Sequence, residues 1–299
     1  MIINDKIIIL RISNEGAKSL NKKIFLICLL IAAISDSQAG VVAKRWAKIT
    51  QPTIGVSQSI GSYTAGCLRG AATLPIDGTG YQVMRLSRKR FYGHPVLIQF
   101  IQNLAQTAYT QQLGTILIGD LGQPRGAPTV SGHRSHQTGL DVDIWFLLSS
   151  EANSRPLSNT EREKWSASSV LLGESDDIDL VHWAIANEQI LEIASRMPEV
   201  DRIFVNPSVK RHLCNQAGNH DWLRKIRPWW RHDDHFHVRL KCPDGNKECQ
   251  NQDPLPQGDG CDAKLDWWFS AEAKNPPPSP ITEPVEPILP VACEAVYKE

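Results

Sequence analysis

Two short segments of the chain concentrate histidine and aspartate, the residue types that most often bind metals and transfer protons. The first segment, residues 131–143, reads SGHRSHQTGLDVD, and the second, residues 232–237, reads HDDHFH. Together they hold five of the 9 histidines in a chain of 299 residues. These two segments are therefore the first candidates for a reactive site.

The spacing within each segment predicts that its polar side chains share one face of a strand. A single residue separates His235 from His237, so a strand would point both imidazoles to the same face, with Cα atoms roughly 7 Å apart. Asp143 lies on the polar face of a strand predicted over 141–147, and a glycine-containing turn lets the chain bring His136 toward it. Imidazole nitrogens with one carboxylate oxygen form a typical catalytic zinc set, which leaves the fourth tetrahedral position to water.

The alternative interpretation is that these histidines lie on the surface or satisfy buried polar groups. We favour that interpretation for the isolated histidines, because a single histidine is a weak signal; these are His94, His182, His212 and His220. It is disfavoured for the two dense segments, since both fall on predicted strands whose polar faces can converge.

The N-terminal region has the pattern of a secretory signal. Lys22 and Lys23 precede an uncharged run over 24–34, and small residues at 37 and 39 predict cleavage after Ala39. The run is shorter than the roughly 20 residues that a membrane-spanning helix needs, so we expect no membrane insertion after the signal is removed. A formal net charge of +0 gives no basic field for nucleic acid.

The cysteine count supports export to an oxidising compartment. Of the 7 cysteines, Cys28 lies in the signal, and the remaining even set predicts three disulfides. Sequence alone leaves fifteen pairings open, although Cys242 and Cys249 are expected to close a short loop. The other four are Cys67, Cys214, Cys261 and Cys293.

Hydrophobic periodicity predicts an α+β fold, in which flanking helices cover an antiparallel sheet that carries the zinc site. The expected helices begin at Pro95, with a stop at Gly114, and at about Asp179, with an end near Met197. The expected strands cover 115–118, 141–147, 202–205 and 235–240, and the second and fourth of these alternate as half-buried strands do.

The C-terminal region predicts a proline-rich strap. Seven prolines fall between residues 275 and 290, which favours an extended chain, and Cys293 implies that the strap is attached to the body by a disulfide. The predicted organisation is a signal region over 1–39, a domain over 40–274 that carries the predicted zinc site, and the strap over 275–299. The tryptophan pairs at 229–230 and 267–268 could line a peptide or glycan groove, but packing in the core or a structural role near Pro228 is favoured.

The two histidine segments also resemble a known family. His136-x6-Asp143 followed by His235-x-His237 looks like the zinc signature of the lysostaphin-type and D-alanyl-D-alanine metallopeptidases. The resemblance is closer to the penicillin-insensitive murein endopeptidases, and it runs along nearly the whole mature chain. The matching stretches are 57–62, 81–85, 93–95, 136–144, 202–207, 221–225, 227–229 and 258–261.

This resemblance implies a role for each matching residue. His136, Asp143 and His237 would bind zinc, while His235 would handle protons or stabilise the oxyanion. His133 would bind metal or line the site, and His232 would act near the reaction centre. The resemblance also implies the disulfides Cys67–Cys293, Cys214–Cys261 and Cys242–Cys249.

The sequence departs from the family at one pair of positions. Glu174 and Asp177 stand where an ungapped comparison places an Asp and a His that can bind a further metal. Both residues offer carboxylate oxygens as donors. Because they do not match the Asp and His of the family, the sequence does not support a second zinc ion.

The implied function is a periplasmic, zinc-dependent murein endopeptidase that cleaves D-alanyl–diaminopimelate cross-links of peptidoglycan and is insensitive to penicillin. Two alternatives use the same histidines. A D-alanyl-D-alanine dipeptidase would hydrolyse small free dipeptides, whereas a non-catalytic periplasmic protein would bind zinc and peptidoglycan without releasing new amines.

Overall fold

The structure is a computed structural model that describes residues 40–130, 134–216, 218–276 and 286–299. The predicted signal region, His133 and most prolines of the predicted strap lie outside these residues. No helix in the described ranges is both long and apolar enough to cross a membrane.

The strands of the described residues are mostly short. In chain order they are β1 (Gln58–Ser62), β2 (Ala65–Arg69), β3 (Ala72–Thr73), β4 (Asp77–Gly78), β5 (Tyr81–Val83), β6 (Tyr92–Gly93), β7 (Ile116–Ile118), β8 (Asp141–Trp145), β9 (Val200–Val205), β10 (Ile226–Pro228) and β11 (His235–Leu240). The helices are α1 (Val41–Trp46), α2 (Pro95–Thr110), α3 (Ser150–Ser154), α4 (Asn159–Lys164), α5 (Ile185–Arg196), α6 (Pro207–Cys214), α7 (Ala263–Trp267), α8 (Ala271–Lys274) and α9 (Val291–Lys298).

Seven strands form the central sheet, in the order β10-β9-β11-β8-β7-β5-β4. Its middle, from β9 through β11 and β8 to β7, is antiparallel, which agrees with the prediction. The pairs β10–β9 and β5–β7 are parallel, so the sheet as a whole is mixed. Parallel neighbours need a helical crossover, and α2 and α6 provide these two crossovers. The α+β class is confirmed, and the predicted antiparallel pairing is found in the middle of the sheet but not at the two parallel pairs.

The two predicted long helices are present, and they cover the apolar face of the sheet. Pro95 opens α2, where the Nδ1 of His94 accepts a hydrogen bond from the Val96 amide at 3.2 Å. Helix α5 starts at Ile185, six residues later than predicted, because the Asp179 carboxylate accepts hydrogen bonds from Val181 and His182 and holds the preceding residues in turns. Apolar residues of both helices pack on Val142, Ile144, Phe236 and Val238 in one core.

The strand β8 differs from the half-buried strand that its alternation predicts, since all five of its residues are buried. Its polar face is covered at one end by the cluster around Trp145 and Leu157. At the other end the aspartates face His237 and Arg239 of β11 and not the solvent. The carboxylates of β8 are therefore held in the protein interior.

The three disulfides pair as the family resemblance implies, joining Cys67 to Cys293, Cys214 to Cys261 and Cys242 to Cys249. The proline pattern did not predict α9, the helix in which Cys293 lies. Helix α9 packs next to α1, with the rings of Trp46 and Tyr297 5.4 Å apart. The disulfide from Cys293 therefore attaches a folded element, and not only an extended strap, to β2.

We predict that the disulfides differ in their contribution to stability. Cys67–Cys293 closes a separation of 226 residues, and Cys242–Cys249 closes one of 7 residues. In the chain-entropy model, replacing both cysteines by serine should lower the free energy of unfolding by about 5 kcal/mol for the first pair and about 2 kcal/mol for the second. Urea unfolding under non-reducing conditions measures both values, and equal losses would contradict the prediction.

Candidate metal centre

The pairing of β8 with β11 brings the two histidine segments together. In their antiparallel register, His237 lies opposite Asp143. The Nδ1 of His237 is 2.9 Å from one Asp143 carboxylate oxygen, and the Nε2 of His136 is 3.4 Å from the other. One ligand atom from each residue lies within 4.8 Å of the other two, and all three residues are buried. The three can hold a metal ion between them.

A turn between residues 136 and 139 places His136 beside β8. His136 has a left-handed backbone with φ of 69°, a conformation that histidine adopts more readily than most residues. Gly139 also has a positive φ, of 70°, and a Cβ there would lie 2.3 Å from the Cδ2 of Leu68. Glycine is therefore required at this position, as the sequence analysis expected of the turn.

Asp141 orients both imidazoles from behind. Its carboxylate is 2.7 Å from the Nε2 of His237, and its main-chain oxygen is 3.3 Å from the Nδ1 of His136. Arg239 donates its Nε hydrogen to the same carboxylate oxygen at 2.7 Å, and its guanidinium stacks over the ring of Tyr63. Hydrogen bonds of this kind fix the ring orientation and tautomer of metal-binding histidines.

The charges of the centre favour ionised carboxylates. Burial by itself would raise the pKa of Asp141, but Arg239 and His237 outweigh burial and hold that pKa well below its usual range. Burial is likewise opposed at Asp143, where His136 and His235 lower the pKa. Asp143 in turn raises the pKa of His136 against the effect of burial. The ionised carboxylate of Asp143 can therefore act as a metal ligand beside the two imidazoles.

His235 lies at the edge of the three-residue group. Its Nε2 is 3.7 Å from Asp143, its Nδ1 is bonded to the Asp234 carboxylate, and a fifth of its side chain is exposed. Burial would lower the pKa of His235, but Asp143 and Asp234 raise it to about 9. This imidazole therefore carries a proton at neutral pH, and it is more exposed than His136, Asp143 and His237.

His232 shows the opposite shift. Its Nδ1 donates to the main-chain oxygen of Trp230 at 2.9 Å, and its ring lies 5.0 Å from that of His235. Burial, followed by the charges of His235 and His237, lowers the pKa of His232 to about 4. A left-handed residue, Arg231 with φ of 66°, turns the chain so that this neutral imidazole reaches the site.

Other predicted residues are not brought into the centre. His133 lies outside the described residues. Glu174 and Asp177 are exposed, and neither belongs to the His/Cys/Asp/Glu groups with metal-binding spacing in the part of the chain that the structure describes. The second such group contains Cys261, whose sulfur is bonded to Cys214 and is not a free thiolate.

Sequence reasoning missed three residues of the site: Asp141, Arg239 and Phe204. The alternation of β8 and β11 already placed Asp141 and Arg239 on the polar faces, so the signal was present but no role was assigned to either residue. Phe204 lies opposite His237 on β9, with its ring 5.5 Å from the imidazole. No spacing in the sequence singles it out.

Comparison with known proteins gives consistent matches. Residues 59–298 match the family model described as penicillin-insensitive murein endopeptidase. A protein of that name from Klebsiella pneumoniae strain 342 is 43% identical over 280 residues, which cover 91% of this chain and 97% of the relative. The protein of the same name from Salmonella typhimurium is 43% identical over 275 residues, or 88% of this chain and 94% of the relative.

We predict that Asp141→Asn weakens metal binding by roughly 10- to 100-fold, because it removes the negative charge that makes the imidazole of His237 a more basic ligand. The amide oxygen can still accept from both His237 and Arg239, so the fold should persist by circular dichroism. Titration with Zn²⁺ against a chromophoric chelator measures the affinity. The matched control is Asp179→Asn, which alters a carboxylate–imidazole pair with His182 on the surface. Equal Zn²⁺ affinities for the two variants would refute the role of Asp141.

We also predict that Zn²⁺ binding depends on pH. The raised pKa of His136 means that its imidazole holds a proton that a metal ion must displace. Below that pKa the affinity should fall about tenfold per pH unit for each displaced proton. Calorimetry over a range of pH, each time in two buffers of different protonation enthalpy, should show proton release on Zn²⁺ binding that increases toward lower pH. Binding without proton release would contradict this assignment.

Proposed function

Because the chain belongs to the penicillin-insensitive murein endopeptidase family, we propose that it is a zinc-dependent endopeptidase of the periplasm that hydrolyses D-alanyl–diaminopimelate cross-links in peptidoglycan. The observation that carries the proposal is the buried group of His136, Asp143 and His237 with His235 beside it. Three disulfides and the predicted N-terminal signal support export. We also propose that residues 40–274 form the zinc endopeptidase domain and that residues 275–299 form a proline-rich strap attached to it.

The donor set fits zinc. Two imidazole nitrogens and one carboxylate oxygen suit this borderline-soft ion, whereas calcium and magnesium prefer sites made of oxygen ligands. Three protein ligands are also the usual number in catalytic zinc sites. His133 is proposed as a further ligand or lining residue.

Each side chain then has a defined task. A zinc ion held there would supply an activated water, with its pKa lowered to about 7, and would polarise the scissile carbonyl. His136, Asp143 and His237 would hold the ion, and Asp141 keeps both imidazoles in the required orientation. His235, which is protonated and partly exposed, delivers a proton to the departing amine. His232, which is neutral, accepts a hydrogen bond near the reaction centre.

This arrangement accounts for insensitivity to penicillin. β-Lactams act by acylating a nucleophilic serine, and the proposed hydrolysis uses neither a serine nor a cysteine nucleophile. The six cysteines outside the predicted signal are all in disulfides. A β-lactam therefore finds no group to acylate in this mechanism.

Digestion of purified cross-linked muropeptides tests the proposal directly. We expect mass analysis to show conversion of dimers to monomers, its loss with a chelator and its return with added Zn²⁺. Dimers that stay intact while zinc is bound would favour a non-catalytic binding protein. Release of D-alanine from D-alanyl-D-alanine, with intact dimers, would favour a dipeptidase.

Alanine variants test the division of roles. His237→Ala and Asp143→Ala should lose both the metal and the activity, since each removes a ligand. His235→Ala should lower kcat by about 10²- to 10⁴-fold, the usual contribution of a general acid, and should largely keep the metal. His182→Ala, an exposed histidine outside the site, serves as the control. If His235→Ala lost zinc as readily as His237→Ala, the assigned roles would be wrong.

A further inference from the structure

Four tryptophans form an exposed cluster that the sequence analysis assigned to the core. This indole cluster consists of Trp229, Trp230, Trp267 and Trp268. The half-buried Trp268 is its centre, and the other three rings lie 5.2 to 6.3 Å from it. Trp229 is 55% exposed, Trp267 48% and Trp230 37%. Core packing is therefore wrong for Trp229, Trp230 and Trp267, and their aromatic surface faces the solvent.

The indole cluster is continuous with the candidate metal centre. The ring of Phe204 lies 5.5 Å from that of His237 and 5.9 Å from that of Trp229. The ring of Trp229 in turn lies 6.3 Å from that of Trp268. The main-chain oxygen of Trp230 also accepts the hydrogen bond that orients His232. A polymer bound at the metal centre can therefore extend over the cluster without leaving the protein surface.

We propose that the indole cluster binds the glycan strand of peptidoglycan through the apolar faces of its N-acetylated hexosamines. This inference rests on the proposed function, which makes the substrate a polymer with both peptide and sugar parts. The negative π-face of an indole attracts the weakly positive axial C–H groups on one side of a pyranose ring. The rings stand at 55° to 79° to that of Trp268, so the cluster offers several separate stacking faces and not one flat plane.

The geometry and charge favour a glycan over other occupants. A stem peptide of four residues spans at most about 14 Å, a length comparable to the three ring-to-ring steps from His237 to Trp268. The sugar that bears the stem can then reach the cluster while the cross-link lies at the metal centre. The cluster holds indoles without aliphatic side chains, and the chain has a formal net charge of +0, which gives little attraction to an anionic membrane.

Binding to oligomers of N-acetylglucosamine tests the inference independently of hydrolysis. Calorimetry with the tetrasaccharide should detect binding to the wild type and at least about fivefold weaker binding to Trp267→Ala and to Trp230→Ala. The matched control is Tyr109→Ala, which removes an aromatic side chain of similar exposure from α2, outside the cluster. No binding by the wild type, or equal binding by the tryptophan variants, would overturn the proposal.

Hydrolysis of two matched substrates adds a second measurement. The wild type should show a higher kcat/KM for muropeptide dimers that carry their disaccharides than for the sugar-free peptide dimers, and Trp267→Ala should bring this ratio toward one. An equal loss on both substrates would mean that the cluster binds peptide and not glycan. Binding to phospholipid vesicles without binding to the tetrasaccharide would also refute the inference. Cleavage of neither dimer by the wild type contradicts the proposed function, whereas the calorimetric result decides on the glycan surface.

Discussion

The antiparallel register between β8 and β11 is the constraint on which the rest of the site depends. It sets Asp141 and Asp143 against Arg239 and His237 in the middle of a buried sheet. Buried carboxylates are costly unless charge and hydrogen bonds compensate them, and removing one partner of a buried pair costs about 3 to 5 kcal/mol. A shift of one residue would turn both aspartates into the apolar core, so the charge pattern and the hydrophobic pattern specify the same register.

The loops around these strands accept unfavourable backbone conformations to complete the centre. His136 and Arg231 both have a positive φ, which for residues other than glycine costs of order 1 to 3 kcal/mol each. Arg231 immediately precedes His232, and His136 is itself a candidate metal ligand. At these two positions the chain turns sharply to bring an imidazole to the site, and the rigid sheet sustains the strain.

Sequence patterns predicted the strands that carry the chemistry more accurately than their surroundings. Alternation along 235–240 placed His235, His237 and Arg239 on one face, and the structure agrees. Alternation along 141–147 predicted a half-buried β8, although β8 is fully buried. A local pattern cannot distinguish a strand face covered by imidazoles and Arg239 from a strand face covered by water. The role of Asp141 and the contact of Phe204 with His237 depend on pairing between strands distant in sequence. The exposure of the tryptophans was likewise invisible, since aromatic pairs also occur in cores.

The disulfide between Cys214 and Cys261 links stability to the position of the indole cluster. Cys261 immediately precedes the turn into α7, which carries Trp267, while Cys214 ends α6. One helical turn earlier on α6, the Nζ of the buried Lys210 donates to the main-chain oxygens of Leu223 and Asp259, and burial lowers the pKa of this lysine to about 7. The disulfide to Cys261 and the hydrogen bond to Asp259 start from neighbouring turns of α6, and together they fix the segment that leads into the cluster. Since α6 follows β9 directly, the indoles and Phe204 are positioned by the same part of the chain, and an oxidising compartment favours the geometry of the surface as well as its stability.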